Sequence, residues 1–362
     1  MNKLKEYLSS VYGADVDVRY VGELGKRGMK RAEPRMKLKE FGYGVPYEVE
    51  FVIKGELKSI ILETMRPGAF GHEHFSDRAG ILLWQHSAFN KLPRHAESVD
   101  VGGFTEDGSL KSLGNCKEFF IVTDRVKGRP YFRDLDRIKE NERLTDLDRR
   151  RCLALSNYLI KIHGVKSDEA GLYVRRIREL VGHGECVMGL CDSYPSGLEY
   201  ISEEDLCRIE RQCVDWRWEL KGKTHRLAQV HGDYHPWNIL FRRGTDFSVL
   251  DRSRGEWGEA ADDVSAMSIN YLFYSLRTYG RLDGPFEELF GSFWENYLDK
   301  TGDKEILEVV QPFYAWRGLV IASPIWYPNL PLELRTKLLN FIKSVLEAER
   351  FVLEDVNSYI QG

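Results

Sequence analysis

Residues 230–251 read VHGDYHPWNILFRRGTDFSVLD, and they contain the densest cluster of chemically active side chains in the sequence. Phosphoryl transfer needs a carboxylate that orients the acceptor hydroxyl and takes its proton. It also needs an amide and a second carboxylate to hold Mg²⁺ on the nucleotide phosphates. The order of residues predicts Asp233 for the first task and Asn238 with Asp251 for the second, with His231 as a structural residue that holds the loop.

The residues between Asn238 and Asp251 predict how these two side chains meet. Residues 239–241 and 247–250 are short β-rich runs on either side of the turn sequence RRGTD, which is typical of a β-hairpin. A chain that leaves and returns along one ladder brings its two ends together. We therefore expect Asn238 and Asp251 to reach one cation.

This segment resembles the aminoglycoside phosphotransferase and choline kinase family, whose loop reads HGDxxxxN and is followed, after a short hairpin, by a metal-binding Asp. The resemblance spans about residues 38–275. It includes GEAADDVSAM, where Gly258 and Asp263 match a G-x-x-x-x-D segment, and LIKIH at residues 159–163. It implies that Asp263 is a structural anchor beside the site.

The same resemblance implies an α+β, protein-kinase-like fold with two lobes. A small β-rich nucleotide-binding lobe is expected over residues 1–122 and a larger, mainly helical catalytic lobe over residues 123–362, with a hinge at about 123–128. ATP and Mg²⁺ are the implied cofactors. The implied acceptor is a small molecule with a hydroxyl, such as an aminoglycoside, a choline-like amine, a sugar or a nucleoside.

Composition and patterning agree with this organisation. A chain of 362 residues with 43% hydrophobic content exceeds the usual single core, so two domains are expected. Residues 47–53 and 59–65 form a hairpin pattern, a helix is predicted over residues 77–89, and helical patterns dominate from residue 266 to 359.

The net charge and the hydropathy of the chain limit the classes of partner that it can bind. The formal charge of -4, from 52 basic and 56 acidic residues, gives no electrostatic case for nucleic acid. The sequence has no apolar run long enough to span a bilayer. Its N-terminus is polar, and its six cysteines form no CxxC pairs. These features predict a cytoplasmic protein with small-molecule partners and reduced cysteines.

Two N-terminal segments are candidates for binding the nucleotide. Residues 118–123, EFFIVT, predict a buried strand that runs into residues 124–128 and resembles the family's interlobe linker. By its distance from Gly128, this linker offers the Asp124 carbonyl and the Val126 amide to adenine; an ordinary edge strand is the alternative. Gly42 and Gly44 are candidates for a turn over the phosphates, although such a pair is also typical of a simple hairpin.

One position departs from the family pattern. Glu63 stands in IILETM where the family has the lysine that holds the α- and β-phosphates, and Arg78 stands where the partner glutamate is expected. An exchanged Glu63–Arg78 ion pair would brace the helix but place a carboxylate beside the triphosphate. Arg66, Arg78, a basic residue within 26–30, or the metal itself would have to neutralise Glu63.

Two other functions remain open from sequence. In the first, His231, Asp233 and His235 alternate along an extended strand and bind Zn²⁺ or Mn²⁺ as a hydrolase site. In the second, the chain is a nucleotide-binding regulatory protein of the same fold that lost efficient transfer because Glu63 replaced the lysine. The first leaves Asn238 and Asp251 unexplained, and the second does not require the base Asp233.

Acceptor specificity has weaker signals. Glu256, Glu259 and Asp262 are acids near the metal motif that would attract an amine-bearing acceptor, although exposed acids in a loop need no such role. The aromatic residues from Tyr271 to Tyr279 are interpreted as helix core rather than as the lining of an acceptor pocket.

Overall fold

The computed structural model describes residues 2–25, 44, 46–68 and 70–361. The chain divides into two compact units, Met1–Thr123 and Asp124–Gly362. The predicted fold class is confirmed in its element order, because a small β-rich unit precedes a larger and mainly helical one.

The N-terminal unit is built around one antiparallel sheet with the strand order β1-β2-β3. Valines and aromatic residues supply its inner face, which packs with Leu8 of the first helix into a separate small core. The elements in chain order are α1 (Asn2–Tyr12), β1 (Val16–Glu23), β2 (Pro46–Ile53), β3 (Glu56–Glu63), α2 (Phe75–Phe89), β4 (Gly102–Phe104) and β5 (Leu110–Ser112).

The hairpin predicted in this unit is confirmed, and its turn explains the register. Strands β2 and β3 pair from Ile53 with Glu56 to Pro46 with Glu63. The two residues between them, Lys54 and Gly55, have φ values of 49° and 86°. Two successive positive φ angles are what a tight hairpin turn requires to match the twist of the strands.

The outer face of this sheet carries Glu63. Side chains alternate between the faces of a strand, so Glu48, Ile61 and Glu63 lie on the side opposite the buried Val49 and Phe51. Glu48 accepts a hydrogen bond of 3.3 Å from Ser59 Oγ on the same face. Glu63 is therefore exposed on a face that already holds another carboxylate.

The strand predicted for residues 118–123 is wrong. Residues 118–128 have no regular secondary structure. Phe120, Ile121 and Val122 are 90%, 86% and 82% exposed rather than buried. A strand needs a hydrogen-bonding neighbour as well as β-prone residues, and apolar composition does not supply that neighbour.

The C-terminal unit is mainly helical and has one large core. Its strands are β6 (Arg129–Pro130), β7 (Leu227–Gln229), β8 (Ile239–Phe241), β9 (Phe247–Val249) and β10 (Trp257–Glu259). Its helices are α3 (Phe132–Asn141), α4 (Asp146–His163), α5 (Ala170–Gly182), α6 (Val187–Ser193), α7 (Glu203–Leu220), α8 (Ala260–Tyr279), α9 (Gly284–Thr301), α10 (Gln311–Ala322), α11 (Leu332–Glu347) and α12 (Val356–Tyr359). Short 3₁₀ turns cover Thr224–Arg226, Pro236–Asn238, Lys304–Glu308 and Leu353–Asp355.

Helix α8 is the centre of this unit. It is buried from Ala260 to Leu276 and packs against α9 and α10. Its aromatic residues, including Tyr271 and Tyr274, are core residues, as the sequence interpretation had them. Over the residues described, we find no helix that combines the length and the apolar character needed to cross a bilayer.

Two small ladders position the candidate catalytic loop between helices. Strands β8 and β9 form the predicted hairpin, with Ile239 paired to Val249, and β6 adds to the other edge of β8. Strand β10 pairs with β7 through Gly258 and Ala228, which brings the start of α8 beside the chain that enters the loop. The loop from His231 to Asn238 therefore leaves one ladder and enters the other.

The β2–β3 turn generates a stability prediction. Gly55→Ala should lower the free energy of unfolding by about 1–2 kcal/mol, because a Cβ disfavours positive φ even though nothing lies within 4 Å of it. The matched control is Gly80→Ala in α2, where the Cβ also meets open space and φ is not positive. That substitution should stabilise the protein by up to about 1 kcal/mol. Urea unfolding measures both, and equal effects would contradict the assigned turn.

Candidate active site

The loop that begins at His231 is held by one buried carboxylate. Asp263 Oδ2 accepts a hydrogen bond of 2.7 Å from the His231 amide, and Asp263 Oδ1 accepts one of 2.7 Å from the Gly232 amide. Gly232 has a φ of 84°, and a Cβ there would lie 3.0 Å from Arg254 Cβ. The glycine of the HGD sequence thus allows the turn that presents both amides to Asp263.

Asp263 has a third donor from helix α4. His163 Nε2 lies 3.1 Å from Asp263 Oδ2, and His163 Nδ1 lies 2.8 Å from the Tyr297 hydroxyl. Burial acts to raise the pKa of Asp263, but the hydrogen bonds from His163 and the loop outweigh burial and lower it. The carboxylate therefore stays ionised and binds the loop to α4, α8 and α9.

Asp233 projects from this loop and is fixed through both oxygens. Its Oδ1 accepts a hydrogen bond of 2.6 Å from Arg317 Nη1. Its Oδ2 lies 3.3 Å from His235 Nε2 and 3.3 Å from Asn238 Nδ2. Burial opposes ionisation, but His235 and Arg317 outweigh it and hold the pKa of Asp233 well below its usual range. At neutral pH, Asp233 is an anion that remains partly accessible.

Hydrogen bonds determine which atoms of His235 and Asn238 face the site. His235 Nδ1 accepts from the Trp237 amide at 3.3 Å, so in the neutral ring the proton is on Nε2, which faces Asp233. Asn238 Nδ2 donates to the Asp233 carbonyl at 3.0 Å. A carbonyl can accept from Asn238 Nδ2 but not from Asn238 Oδ1, so this contact leaves Oδ1 as the candidate oxygen ligand.

The hairpin joins Asn238 to the residue before Asp251. The Leu250 amide donates to the Asn238 carbonyl at 2.8 Å, one rung beyond the pairing of Ile239 with Val249. The predicted meeting of the two hairpin ends is therefore present in the backbone. Asp251 itself is exposed and has a φ of 56°, in the left-handed region that a residue with a Cβ rarely adopts.

The donor set at this place suits a hard divalent cation. An amide oxygen and an exposed carboxylate oxygen are the ligands that Mg²⁺ prefers, together with water and phosphate oxygens. Asn238 and Asp251 would supply the two protein ligands. His231 serves the loop instead: it is buried, its Nδ1 accepts from the Asp233 amide at 3.3 Å, and burial lowers its pKa.

The hydrolase alternative based on His231, Asp233 and His235 is contradicted by the loop geometry. Residues 231–235 are irregular, with a bend at Gly232, rather than an extended strand, and the His231 amide donates to Asp263. Within the described ranges, no group of three His, Cys, Asp or Glu side chains is arranged to hold a metal ion. Residues two positions apart share a face only on extended backbone, so the spacing of His231, Asp233 and His235 did not predict their arrangement here.

Of the three acids expected to attract an amine, Glu256 is exposed, whereas Glu259 and Asp262 are buried. Glu259 is fully buried, receives two hydrogen bonds of 2.8 and 2.9 Å from Arg226, and accepts from the Tyr173 hydroxyl at 2.8 Å. Asp262 is buried against Arg317 at 2.6 Å and Arg176 at 3.3 Å. Burial raises the pKa of Asp262, and the two arginines oppose that effect. Neither of these two buried acids faces an acceptor.

The N-terminal candidates lie in the other unit or at its boundary. Glu63 is exposed, and the Arg78 guanidinium donates to the carbonyls of His72 and Glu73 at 2.9 and 3.1 Å rather than to Glu63. The exchanged ion pair is therefore not formed. Gly44 lies against the end of β3, since a Cβ there would be 2.0 Å from the Thr64 carbonyl oxygen.

The remaining nucleotide-binding candidates are only partly described. Gly42 lies outside the described residues, as do the basic residues within 26–30. Asp124 is exposed and Val126 is half-buried in the irregular segment described above. Their predicted pairing with adenine stays a prediction.

Arg317 is the site residue that the sequence reasoning missed. It lies on α10, and its guanidinium contacts Asp233, Asp262 and the Gly232 carbonyl. The helix reads QPFYAWRGLVIA, in which Arg317 is the single charged residue. A lone charge in an otherwise apolar helix indicates a buried ion pair, so the signal was present in the sequence, although its partner was not.

Comparison with known proteins returned matches among solved structures alone. No protein-family model matches the chain, and no curated protein matches it significantly. A glucosamine kinase in complex with glucosamine, ADP and inorganic phosphate is 17% identical with a TM-score of 0.33; the match covers 63% of this chain and 56% of that one, so this chain spans little more than half of its length.

Two other solved structures match over nearly the whole chain. An amicoumacin kinase in complex with AMP-PNP and Ca²⁺ is 14% identical with a TM-score of 0.40, covering 98% of each chain. A choline kinase from Streptococcus pneumoniae is 12% identical with a TM-score of 0.35, covering 96% of this chain and 98% of that one.

The anchor on α8 can be tested by Asp263→Asn. An amide keeps one acceptor oxygen and turns an N–H₂ group towards the donor or donors of the other oxygen, so the free energy of unfolding should fall by roughly 3 kcal/mol. The control is Asp246→Asn, an exposed acid of the β8–β9 turn that pairs with Arg242, which should leave stability nearly unchanged. Thermal or urea unfolding decides; a small loss for Asp263→Asn would contradict its anchoring role.

The backbone of Asp251 gives a second test. Asp251→Gly and Asp251→Ala remove the same carboxylate, but only the alanine variant keeps a Cβ at a φ of 56°. The glycine variant should therefore be more stable than the alanine variant by about 1 kcal/mol. Urea unfolding of the two proteins measures this difference, and equal stability would show that the positive φ is not maintained in solution.

Proposed function

We propose that this protein is an ATP-dependent phosphotransferase that transfers the γ-phosphoryl group to a hydroxyl of a small molecule. The observation that supports the proposal is the proximity of Asp233, Asn238 and the residue before Asp251: the Asn238 side-chain amide donates to the Asp233 carbonyl, and the Leu250 amide donates to the Asn238 carbonyl. A base and two oxygen ligands on one rigid loop are what phosphoryl transfer uses.

Asp233 is the catalytic base in this mechanism. The acceptor hydroxyl donates a hydrogen bond to the Asp233 carboxylate, which orients its oxygen in line with the γ-phosphorus. A new P–O bond forms as the bond to the β-phosphate oxygen breaks, ADP leaves, and the hydroxyl proton passes to Asp233. A bound Mg²⁺, held by Asn238 Oδ1 and Asp251, would neutralise the charge of the phosphate oxygens.

The acids near the metal motif do not single out one class of acceptor. Glu259 and Asp262 pair with buried arginines and cannot bind an amine, whereas Glu256 is exposed. A sugar-like, choline-like, aminoglycoside-like or nucleoside-like acceptor is compatible with this part of the site.

A second function has one observation in its favour. The face of the N-terminal sheet that carries Glu63 also carries Glu48, and no lysine takes the family's phosphate-binding position there. This charge would repel a triphosphate placed against it. A nucleotide-binding protein with weak or no transfer is the function that this feature supports.

One experiment separates the two functions. Calorimetric titration with Mg-AMP-PNP should give binding that weakens in Asp251→Ala, because a metal ligand is lost, and that is retained in Asp233→Asn. Product formation with an acceptor library, followed by mass spectrometry, should fall roughly 10²–10⁴-fold in Asp233→Asn, since the base is removed. Asp246→Asn is the control and should match the wild type in both measurements.

The outcomes have distinct meanings. Binding without product, for any acceptor, favours the regulatory function. Absence of nucleotide binding in the wild type contradicts both proposals, and product that is unaffected by Asp233→Asn contradicts the assigned base.

A further inference from the structure

Arg317 occupies an unusual position for a charged residue. It is 7% exposed and lies in the middle of α10, among apolar residues that pack against α8 and α11. A guanidinium in such a place requires partners for its charge, because the cost of removing it from water is several kcal/mol. The hydrogen-bond partners of Arg317 show which parts of the protein its guanidinium holds together.

The guanidinium divides its donors between two carboxylates and one carbonyl. Arg317 Nη1 donates to Asp233 Oδ1 at 2.6 Å. Nη2 donates to Asp262 Oδ1 at 2.6 Å and to the Gly232 carbonyl at 2.9 Å. The planar fork of arginine therefore connects the base, the residue before the base and the first turn of α8.

The anchoring side of this cluster is itself fixed. Asp262 is also held by Arg176 Nη2 at 3.3 Å from α5. The Arg317 guanidinium lies 3.9 Å from the Trp316 ring, whose Nε1 donates to the Glu185 carbonyl at 3.0 Å. Arg317 is thus held by contacts that do not include Asp233, so it can impose an orientation on that residue.

The contacts of Asp233 are unequal. Its Oδ1 has a short, charge-assisted bond to a buried guanidinium, whereas Oδ2 has two longer contacts of 3.3 Å to His235 and Asn238. A short, charge-assisted bond restrains one oxygen and leaves the other, Oδ2, as the one that can more readily exchange partners.

We infer that Arg317 is a positioning residue for phosphoryl transfer: it holds Asp233 by Oδ1 so that Oδ2 faces the acceptor. This inference rests on the proposed function and extends it from the loop to a helix remote in sequence. Lysine cannot replace arginine in this role, because a single ammonium cannot contact two carboxylates and a carbonyl in the fixed geometry of the fork.

The test compares two arginines that share Asp262. Arg317→Lys should lower kcat by roughly 10–100-fold with the KM for ATP unchanged within about twofold, since a displaced base slows only the chemical step. Arg176→Lys is the matched control: it disturbs the same buried carboxylate without contacting Asp233, and kcat should fall by less than about threefold. Turnover is measured with Mg-ATP and either the identified acceptor or water.

A double-mutant cycle distinguishes the positioning of Asp233 by Arg317 from a general structural role of Arg317. In the Asp233→Asn background, adding Arg317→Lys should change the residual rate by less than about twofold, because the residue that it positions has lost its function. A purely structural role would lower the rate by the same factor in both backgrounds, and that result would overturn the inference.

A charge-balanced variant serves as the control for a loss of folding. If Arg317→Lys does not fold, as judged by circular dichroism and thermal unfolding, Arg317→Gln combined with Asp262→Asn removes one buried charge of each sign and should show the same loss of kcat. A wild-type protein without Mg-ATP turnover would contradict the proposed function and, with it, this inference. Turnover with equal effects of Arg317→Lys and Arg176→Lys would contradict this inference alone.

Discussion

The buried carboxylate of Asp263 is the interaction on which the site depends. It accepts two backbone amides from a loop that leaves one ladder before it enters another, so these donors have no strand partner. A buried amide without an acceptor costs as much as a lost hydrogen bond. The first turn of α8 also favours an anion through the helix dipole. One side chain thus sets the position of the loop relative to the longest buried helix.

A second carboxylate next to it has the opposite set of partners. Asp263 is held by backbone amides and a histidine, whereas Asp262 is held by Arg317 and Arg176. Adjacent acids in a buried turn would repel each other strongly if they shared one environment. Because consecutive residues at the start of a helix point in different directions, one acid serves the loop backbone and the other anchors the cation beside Asp233.

The sequence predicted the local parts of the site well. The HGD loop, the β8–β9 hairpin and the β2–β3 hairpin are short-range features, in which residue type and spacing determine the backbone. The predictions that were wrong concern residues whose structure depends on contacts with residues distant in sequence. Residues 118–123 have strand-forming composition but no strand, and Glu259 is buried on Arg226 although it appears in sequence as a loop acid.

The sequence by itself therefore determined the chemical groups and their order: a carboxylate, an amide and a second carboxylate arranged around one hairpin. Only the tertiary structure decided how Asp233 is oriented and charged, because Arg317 reaches it from a helix far along the chain. Hairpin geometry follows from a few neighbouring dihedral angles and can be derived from a motif. The partner of a buried charge is chosen by packing between helices, for which local spacing contains no information.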